Sequence, residues 1–199
     1  MEPLLNIHAM LPVSQTNGPG KRAVIWFQGC PLRCHGCFNP QTHDTAPRQL
    51  MTPEQLWEWV SNIADIEGIT LSGGEPLAQA KPLVDFLRLV RQNSNLSVIL
   101  YSGYTLEQIR QLPHGEEVLA LVDVLIDGPF EQDKPANDGI RGSTNQRIHF
   151  LTDRYSLADL EPRQRCEFVI TPDGTVVQTG ISVMPGPAAS APSPPEPPS

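Results

Sequence analysis

The sequence predicts an α/β fold with parallel strands. Short apolar runs rich in β-formers alternate with segments whose apolar residues recur at helical spacing. Each apolar run also ends in a polar, glycine-bearing turn. In parallel α/β folds ligands bind beyond the carboxyl ends of the strands, so these turns are expected to form one site. A chain of 199 residues can bury one sizeable core.

Residues 1–21 are weakly patterned and close on the turn signal Asn17-Gly18-Pro19-Gly20. Ala23-Val24-Ile25-Trp26-Phe27 reads as a buried strand that leads directly into Gly29-Cys30. Thr52-Pro53-Glu54-Gln55 is a helix start, with Thr52 as N-cap, Pro53 in the first turn and Gln55 completing a capping box. Leu56, Trp59, Val60, Ile63 and Ile66 follow at helical spacing, and Gly68 is expected to end that helix. Ile69-Thr70-Leu71 is a brief strand ending at Ser72-Gly73-Gly74-Glu75-Pro76. A helix is expected from about Ala78 to Gln92, a strand from Leu96 to Leu100, and short helices over Thr105–Leu112 and Glu116–Val122. Val124-Leu125-Ile126 is the next strand, ending at Asp127-Gly128-Pro129-Phe130. The chain then reads as loop through Asn145, with a later β-hairpin over 166–171 and 175–178. Residues 1–183 are expected to form a single domain, and 184–199 a Pro-rich disordered tail.

The formal net charge of −8 speaks against non-specific nucleic-acid binding and against docking on anionic membranes. No apolar run approaches the ~20 residues that span a bilayer. The N-terminus lacks a signal-peptide pattern, so a cytoplasmic location is expected.

Three of the 4 cysteines fall in one loop, Gly29-Cys30-Pro31-Leu32-Arg33-Cys34-His35-Gly36-Cys37-Phe38-Asn39-Pro40. Clustered cysteines without a secretory signal read as metal-binding or catalytic. A short loop lets three thiolates point at three irons of a four-iron cluster and leaves the fourth iron open for a substrate. Zinc held by the three cysteines with His35 or His43 is the plainer alternative. Ser72-Gly73-Gly74-Glu75-Pro76 places two glycines where a ligand can approach the backbone, and Glu75 where it can pair with a cationic amino group.

The spacing C-x3-C-x2-C, with Phe38 directly after Cys37, resembles the cluster motif of the radical S-adenosylmethionine superfamily. Gly73-Gly74-Glu75-Pro76 resembles its GGEP motif. Asn17-Gly18-Pro19-Gly20, Tyr101-Ser102-Gly103-Tyr104-Thr105, Ile126-Asp127-Gly128-Pro129-Phe130 and Arg141-Gly142-Ser143-Thr144-Asn145-Gln146 narrow the likeness. Together they resemble the glycyl-radical-enzyme activases of the anaerobic ribonucleoside-triphosphate reductase type, over roughly residues 5–150.

That resemblance implies a partial, open βα barrel of the radical S-adenosylmethionine type, with the C-terminal β-hairpin added. It implies a 4Fe–4S cluster on Cys30, Cys34 and Cys37. It also implies S-adenosylmethionine held by Gly36, Cys37 and Phe38 on one side and by Gly73, Gly74 and Glu75 on the other. The expected reaction is reductive cleavage of S-adenosylmethionine, with the resulting radical taking a hydrogen from a glycine of the partner. No side chain is expected to act as general acid or base. The expected partners are the large subunit of anaerobic ribonucleotide reductase and a one-electron donor such as flavodoxin or ferredoxin. Rival readings are the activase of another glycyl radical enzyme, a radical enzyme on a peptide or small molecule, and a non-catalytic zinc or iron–sulfur module. Cys166 alone cannot build a second four-cysteine cluster, and a passive module has no need of the GGEP turn.

Overall fold

The computed structural model describes residues 4–160, 166–170, 174 and 176–180. Nine strands are described: β1 (Leu5–Ser14), β2 (Arg22–Phe27), β3 (Gln49–Met51), β4 (Gly68–Gly73), β5 (Ser97–Ser102), β6 (Val124–Asp127), β7 (Arg147–Phe150), β8 (Cys166–Ile170) and β9 (Val176–Gly180). Four helices join them: α1 (Pro53–Ser61), α2 (Ala80–Asn93), α3 (Leu106–Ile109) and α4 (Gly115–Leu119). The main sheet has 7 strands in the order β3-β1-β2-β4-β5-β6-β7. β2, β4, β5 and β6 pair in parallel, whereas β1, β3 and β7 pair antiparallel at the two sides. The architecture is therefore mixed α/β, with the expected parallel strands at its centre.

Both faces of the central strands are buried, which explains their near-continuous apolar sequences. Ile25, Leu71, Val98, Leu100 and Leu125 pack on one face against Leu56 and Val60 of α1, Leu83, Phe86, Leu87 and Val90 of α2, and Val118 of α4. On the other face Ile99, Val124 and Ile126 meet Ile140 and Leu160 from the loops after β6 and β7. Val98, Ile99 and Leu100 thus alternate between the two faces, as the pleat requires.

The capping box at Thr52 forms as expected: Gln55 N donates to Thr52 Oγ1 at 3.2 Å and Thr52 N to Gln55 Oε1 at 2.9 Å. The helix it starts ends earlier than expected. It closes at Ser61, and Asp65 takes a left-handed conformation with φ 58°, so Ile63 and Ile66 reach the core from a turn. The helix expected from Ala78 begins at Ala80, after a 3-10 turn over Pro76–Gln79.

Residues 1–21 contain β1, a ten-residue strand that their weak patterning hid. Its register shifts between Ile7 and Ala9 and again between Leu11 and Ser14, which breaks the two-residue period. β3 and β7 are short edge strands for which the sequence predicts no element. The expected hairpin is present, with Cys166 opposite Gly180 and Ile170 opposite Val176. The tail over 184–199 lies outside the described residues.

Arg22 is fully buried at the first position of β2. Its Nε donates to Thr70 Oγ1 at 2.8 Å, Nη1 to Ser97 Oγ at 2.9 Å, and Nη2 to Ile69 O at 2.7 Å and Ser97 O at 3.2 Å. Burial pushes the guanidinium pKa down, while the Tyr155 hydroxyl nearby offsets part of that. The side chain therefore ties the starting ends of β2, β4 and β5 together. Arg22→Ala leaves these buried acceptors without donors and is expected to cost on the order of 3 kcal/mol, read from the denaturant midpoint. An unchanged midpoint would show that the guanidinium is not what joins these strands.

Candidate functional site

The parallel register brings the carboxyl ends of four strands to one edge of the sheet. Phe27 pairs with Gly73, Leu71 with Leu100, and Ser102 with Asp127. The cysteine loop leaves the end of β2 and the GGEP turn leaves the end of β4, so parallel pairing alone makes them neighbours.

Close backbone bonds lock the two together. Gly74 N donates to Phe27 O at 2.8 Å and Glu75 N to Gly29 O at 2.9 Å. Gly73 sits at φ 102°, and a Cβ there would lie 2.5 Å from Phe27 N. A Cβ on Gly74 would collide with the Gly29 carbonyl. Both glycines are therefore required by the approach of one strand end to the other.

Glu75 is fully buried. Its Oε1 accepts from Leu77 N at 3.0 Å and Ser102 Oγ at 3.0 Å, and its Oε2 accepts from Gly103 N at 2.8 Å. Burial pushes its pKa up to about 7, against the three donors, which favour the ionised form. The carboxylate thus bridges the ends of β4 and β5. The sequence reading put Glu75 beside a cationic group; its oxygens are instead taken up by the protein's own donors.

Cys30 is buried, and Cys34 and Cys37 are half-buried. All 4 cysteines, Cys166 included, are free thiols. Burial raises the Cys30 pKa, while backbone N–H groups of Leu32 and Arg33 pull it down. Burial likewise raises Cys37, whose sulfur accepts from Asn39 N at 3.4 Å. Such N–H groups aimed at sulfur fit a loop that holds thiolates on iron, and metal binding then displaces the thiol protons. Among the described residues no three His, Cys, Asp or Glu side chains are grouped for one metal ion. A four-iron cluster makes a different demand, one thiolate per iron on separate corners of a cube. The exposed His35 is not gathered with the cysteines as a zinc site would need.

The other rim loops close around this pair. Phe38 stands 53 % exposed with its ring centroid 4.5 Å from that of Phe130, which follows β6. A Cβ on Gly142 would lie 3.0 Å from both rings, so the Arg141–Gln146 segment backs the aromatic pair. Gly36 is left-handed at φ 69° and lies under the Gln132 side chain. Leu32 of the cysteine loop packs on Gly103 at the end of β5. The structure therefore gathers Cys30, Cys34, Cys37, Gly36, Phe38, Gly73, Gly74 and Glu75 on one rim.

Asp127 is also fully buried. It accepts from Leu106 N at 2.5 Å and from Arg147 Nη2 at 2.8 Å. Burial works to raise its pKa, but Arg147 and the Leu106 N–H hold it below the usual carboxylate range. Arg141 pairs with Asp138 and donates to Gln146 O at 2.8 Å, fixing its own loop. Tyr101 is pushed up by burial and donates to Ile140 O at 2.9 Å. These residues build the rim.

Sequence reasoning missed a group of amides that fixes the cysteine loop from below. Gln28 Nε2 donates to Asp44 O at 2.6 Å, and its Oε1 faces His8 Nδ1 at 2.6 Å. Gln79 Nε2 donates to Gln28 O at 2.9 Å, and Gln79 Oε1 accepts from Asn6 N at 2.6 Å. Polar residues flanking both motifs were the available signal, but their partners lie up to 73 residues away.

Comparison with known proteins agrees with this geometry. Residues 16–149 match the family model described as a 4Fe-4S single cluster domain. The anaerobic ribonucleoside-triphosphate reductase-activating protein of Enterobacteria phage T4 is 35% identical over 156 residues, covering 75% of this chain and 96% of that protein. The proteins of the same name from Vibrio cholerae and Escherichia coli K12 are each 33% identical, covering 74% of this chain and 99% of theirs.

The buried carboxyl gives a pH signature. Glu75 titrates near 4.5 when unperturbed and at about 7 in the fold, so the native state retains the proton across that window. The contribution of Glu75 to the stability of the metal-free protein is therefore expected to be fully present below about pH 4.5 and to be lost as pH rises through about 7, an effect on the order of 3 kcal/mol. Glu75→Gln removes this component, so the difference between wild type and variant in urea midpoint should change across the window. A pH-independent difference would contradict the assignment.

Proposed function

Since the chain belongs to the family of anaerobic ribonucleoside-triphosphate reductase-activating proteins, we propose that it installs a glycyl radical on an anaerobic ribonucleoside-triphosphate reductase by reductive cleavage of S-adenosylmethionine. The observation that carries this reading is the Gly73–Glu75 turn locked against the cysteine loop through Glu75 N and Gly29 O. An iron–sulfur module that only moves electrons has no use for that second half-site.

Cys30, Cys34 and Cys37 would hold a 4Fe–4S cluster, three thiolates serving four irons. When bound, the cluster supplies the electron that splits the sulfonium of S-adenosylmethionine into methionine and a 5′-deoxyadenosyl radical. Gly73 and Gly74 let the methionine half of the cofactor approach the backbone, opposite Gly36, Cys37 and Phe38. Glu75 acts through the turn it holds, because its carboxylate is buried and already has three donors. The four parallel strands and their antiparallel flanks fit a partial, open βα barrel of the radical S-adenosylmethionine type. The chemistry uses no general acid or base, and the rim's task is to exclude water and competing hydrogen donors.

The partner's glycine must enter the rim to meet the radical, which makes the strand-end loops a protein–protein contact. The electron comes from a one-electron donor such as flavodoxin or ferredoxin. No described helix is long and apolar enough to cross a membrane, and a cytoplasmic, oxygen-free setting suits the chemistry.

Two measurements test the reading. Anaerobically reconstituted protein is expected to hold about four irons and four sulfides per chain, and Cys34→Ala to lose most of them. The reduced protein, mixed with S-adenosylmethionine and an anaerobic ribonucleotide reductase from the same source, is expected to give a glycyl radical in the electron paramagnetic resonance spectrum. One tetrahedral zinc in place of iron, or cofactor cleavage without the glycyl signal, would count against it.

A further inference from the structure

The loop between β6 and β7 uses its polar groups almost completely. Gln146 Nε2 donates to Gly128 O at 3.0 Å, and Gln146 Oε1 accepts from Gly142 N at 2.9 Å and Ser143 N at 3.2 Å. Ser143 Oγ accepts from Glu131 N at 3.1 Å, and Thr144 N donates to Lys134 O at 2.7 Å. Asn145 Nδ2 donates to Pro129 O at 2.7 Å. That bond fixes the amide, because only its nitrogen can serve a carbonyl.

Asn145 Oδ1 then faces away from Pro129, shielded from solvent and with no donor. Buried side-chain acceptors nearly always have a partner, and each exception calls for an explanation. Two other such atoms occur among the described residues, His43 Nε2 and His149 Nε2. The second lies 3.2 Å from Asp127 Oδ2, so it already faces a charge. Asn145 Oδ1 has no such neighbour.

Its position gives it a role. Pro129, which holds the amide, precedes Phe130, and Phe130 packs at a tilt against Phe38 beside Cys37. Asn145 therefore belongs to the same rim as the cysteine loop, at its β6 side. Under the proposed function, the open iron and the Gly73–Gly74 turn take the methionine half of S-adenosylmethionine at the β2 and β4 ends. The N–H and O–H donors left on the cofactor are the ribose hydroxyls and the adenine amino group, all on the adenosyl half. Extended along the rim, that half runs towards the β5 and β6 ends, where Asn145 lies.

We propose that Asn145 Oδ1 accepts a hydrogen bond from the adenosyl half of S-adenosylmethionine and so fixes the direction in which the cofactor lies. The inference rests on the proposed function and adds to it a residue outside both cofactor motifs.

Calorimetric titration of S-adenosylmethionine into the anaerobically reconstituted protein tests it. Asn145→Ala and Asn145→Leu are expected to weaken binding about fivefold or more, the loss of one enclosed hydrogen bond. Asn145→Asp keeps an acceptor while giving up the bond to Pro129, so it should bind within about twofold of wild type. Iron content, measured alongside, should match wild type in all three. Unchanged affinity in Asn145→Ala overturns the proposal, and so does an equal loss in Asn145→Asp, which would assign the effect to the Pro129 anchor. Weaker binding of the reductase with unchanged cofactor affinity also overturns it, in favour of a contact with the partner. If the wild-type protein itself fails to bind S-adenosylmethionine, the proposed function fails first.

Discussion

The site depends on the turn after β4. Within three residues, Gly73 fits under Phe27, Gly74 bonds to Phe27 O, and Glu75 reaches both ways. Its N–H holds Gly29 O, one residue before the first cysteine, while its carboxylate holds Ser102 and Gly103 at the end of β5. One buried residue, through its N–H and its carboxylate, thus sets the spacing of three strand ends. Removing the carboxylate frees those ends; adding a methyl group at Gly74 drives the first two apart. The close fit of these backbones is what holds the cysteine loop and its neighbouring turn side by side on one rim.

This arrangement is held from below by the sheet. Arg22 ties the starting ends of β2, β4 and β5, and Glu75 ties their finishing ends. Between these polar clamps the strands are apolar on both faces, packed on the helices on one side and on the loops around Ile140 and Leu160 on the other. The loops of the second face are also the loops of the rim. The core that stabilises Ile140 therefore positions Tyr101, Arg141 and the turn carrying Asn145 as well. Folding and site assembly draw on the same contacts.

The central strands and the two motifs were legible in the sequence because their signals are local. A run such as Val98-Ile99-Leu100 has one structural solution in this setting, and three cysteines within one loop declare metal chemistry directly. What escaped was non-local or irregular. β1 hid because its two register shifts spoil the alternation that marks a strand, and β3 and β7 because they are short edges with little burial. Glu75 stood out as a motif residue, but its donors Ser102 and Gly103 lie 27 and 28 residues away, so a buried clamp could not be told from an exposed partner for an amine. Gln28 and Gln79 carry no local pattern, and the Arg141–Gln146 segment gives no sign that the Asn145 oxygen lacks a donor. Their significance comes from an account of which buried polar groups have partners, and that account needs coordinates.

The central claim is that this rim brings a cleaved cofactor and a partner's glycine into contact. Isotope transfer tests it most directly. A reductase whose glycines carry deuterium at the α-carbon is mixed anaerobically with the reduced protein and unlabelled S-adenosylmethionine for a single turnover, and the 5′-deoxyadenosine is analysed by mass spectrometry. The account predicts 5′-deoxyadenosine heavier by one deuterium, in step with the glycyl radical formed. Unlabelled 5′-deoxyadenosine alongside a glycyl radical would contradict it.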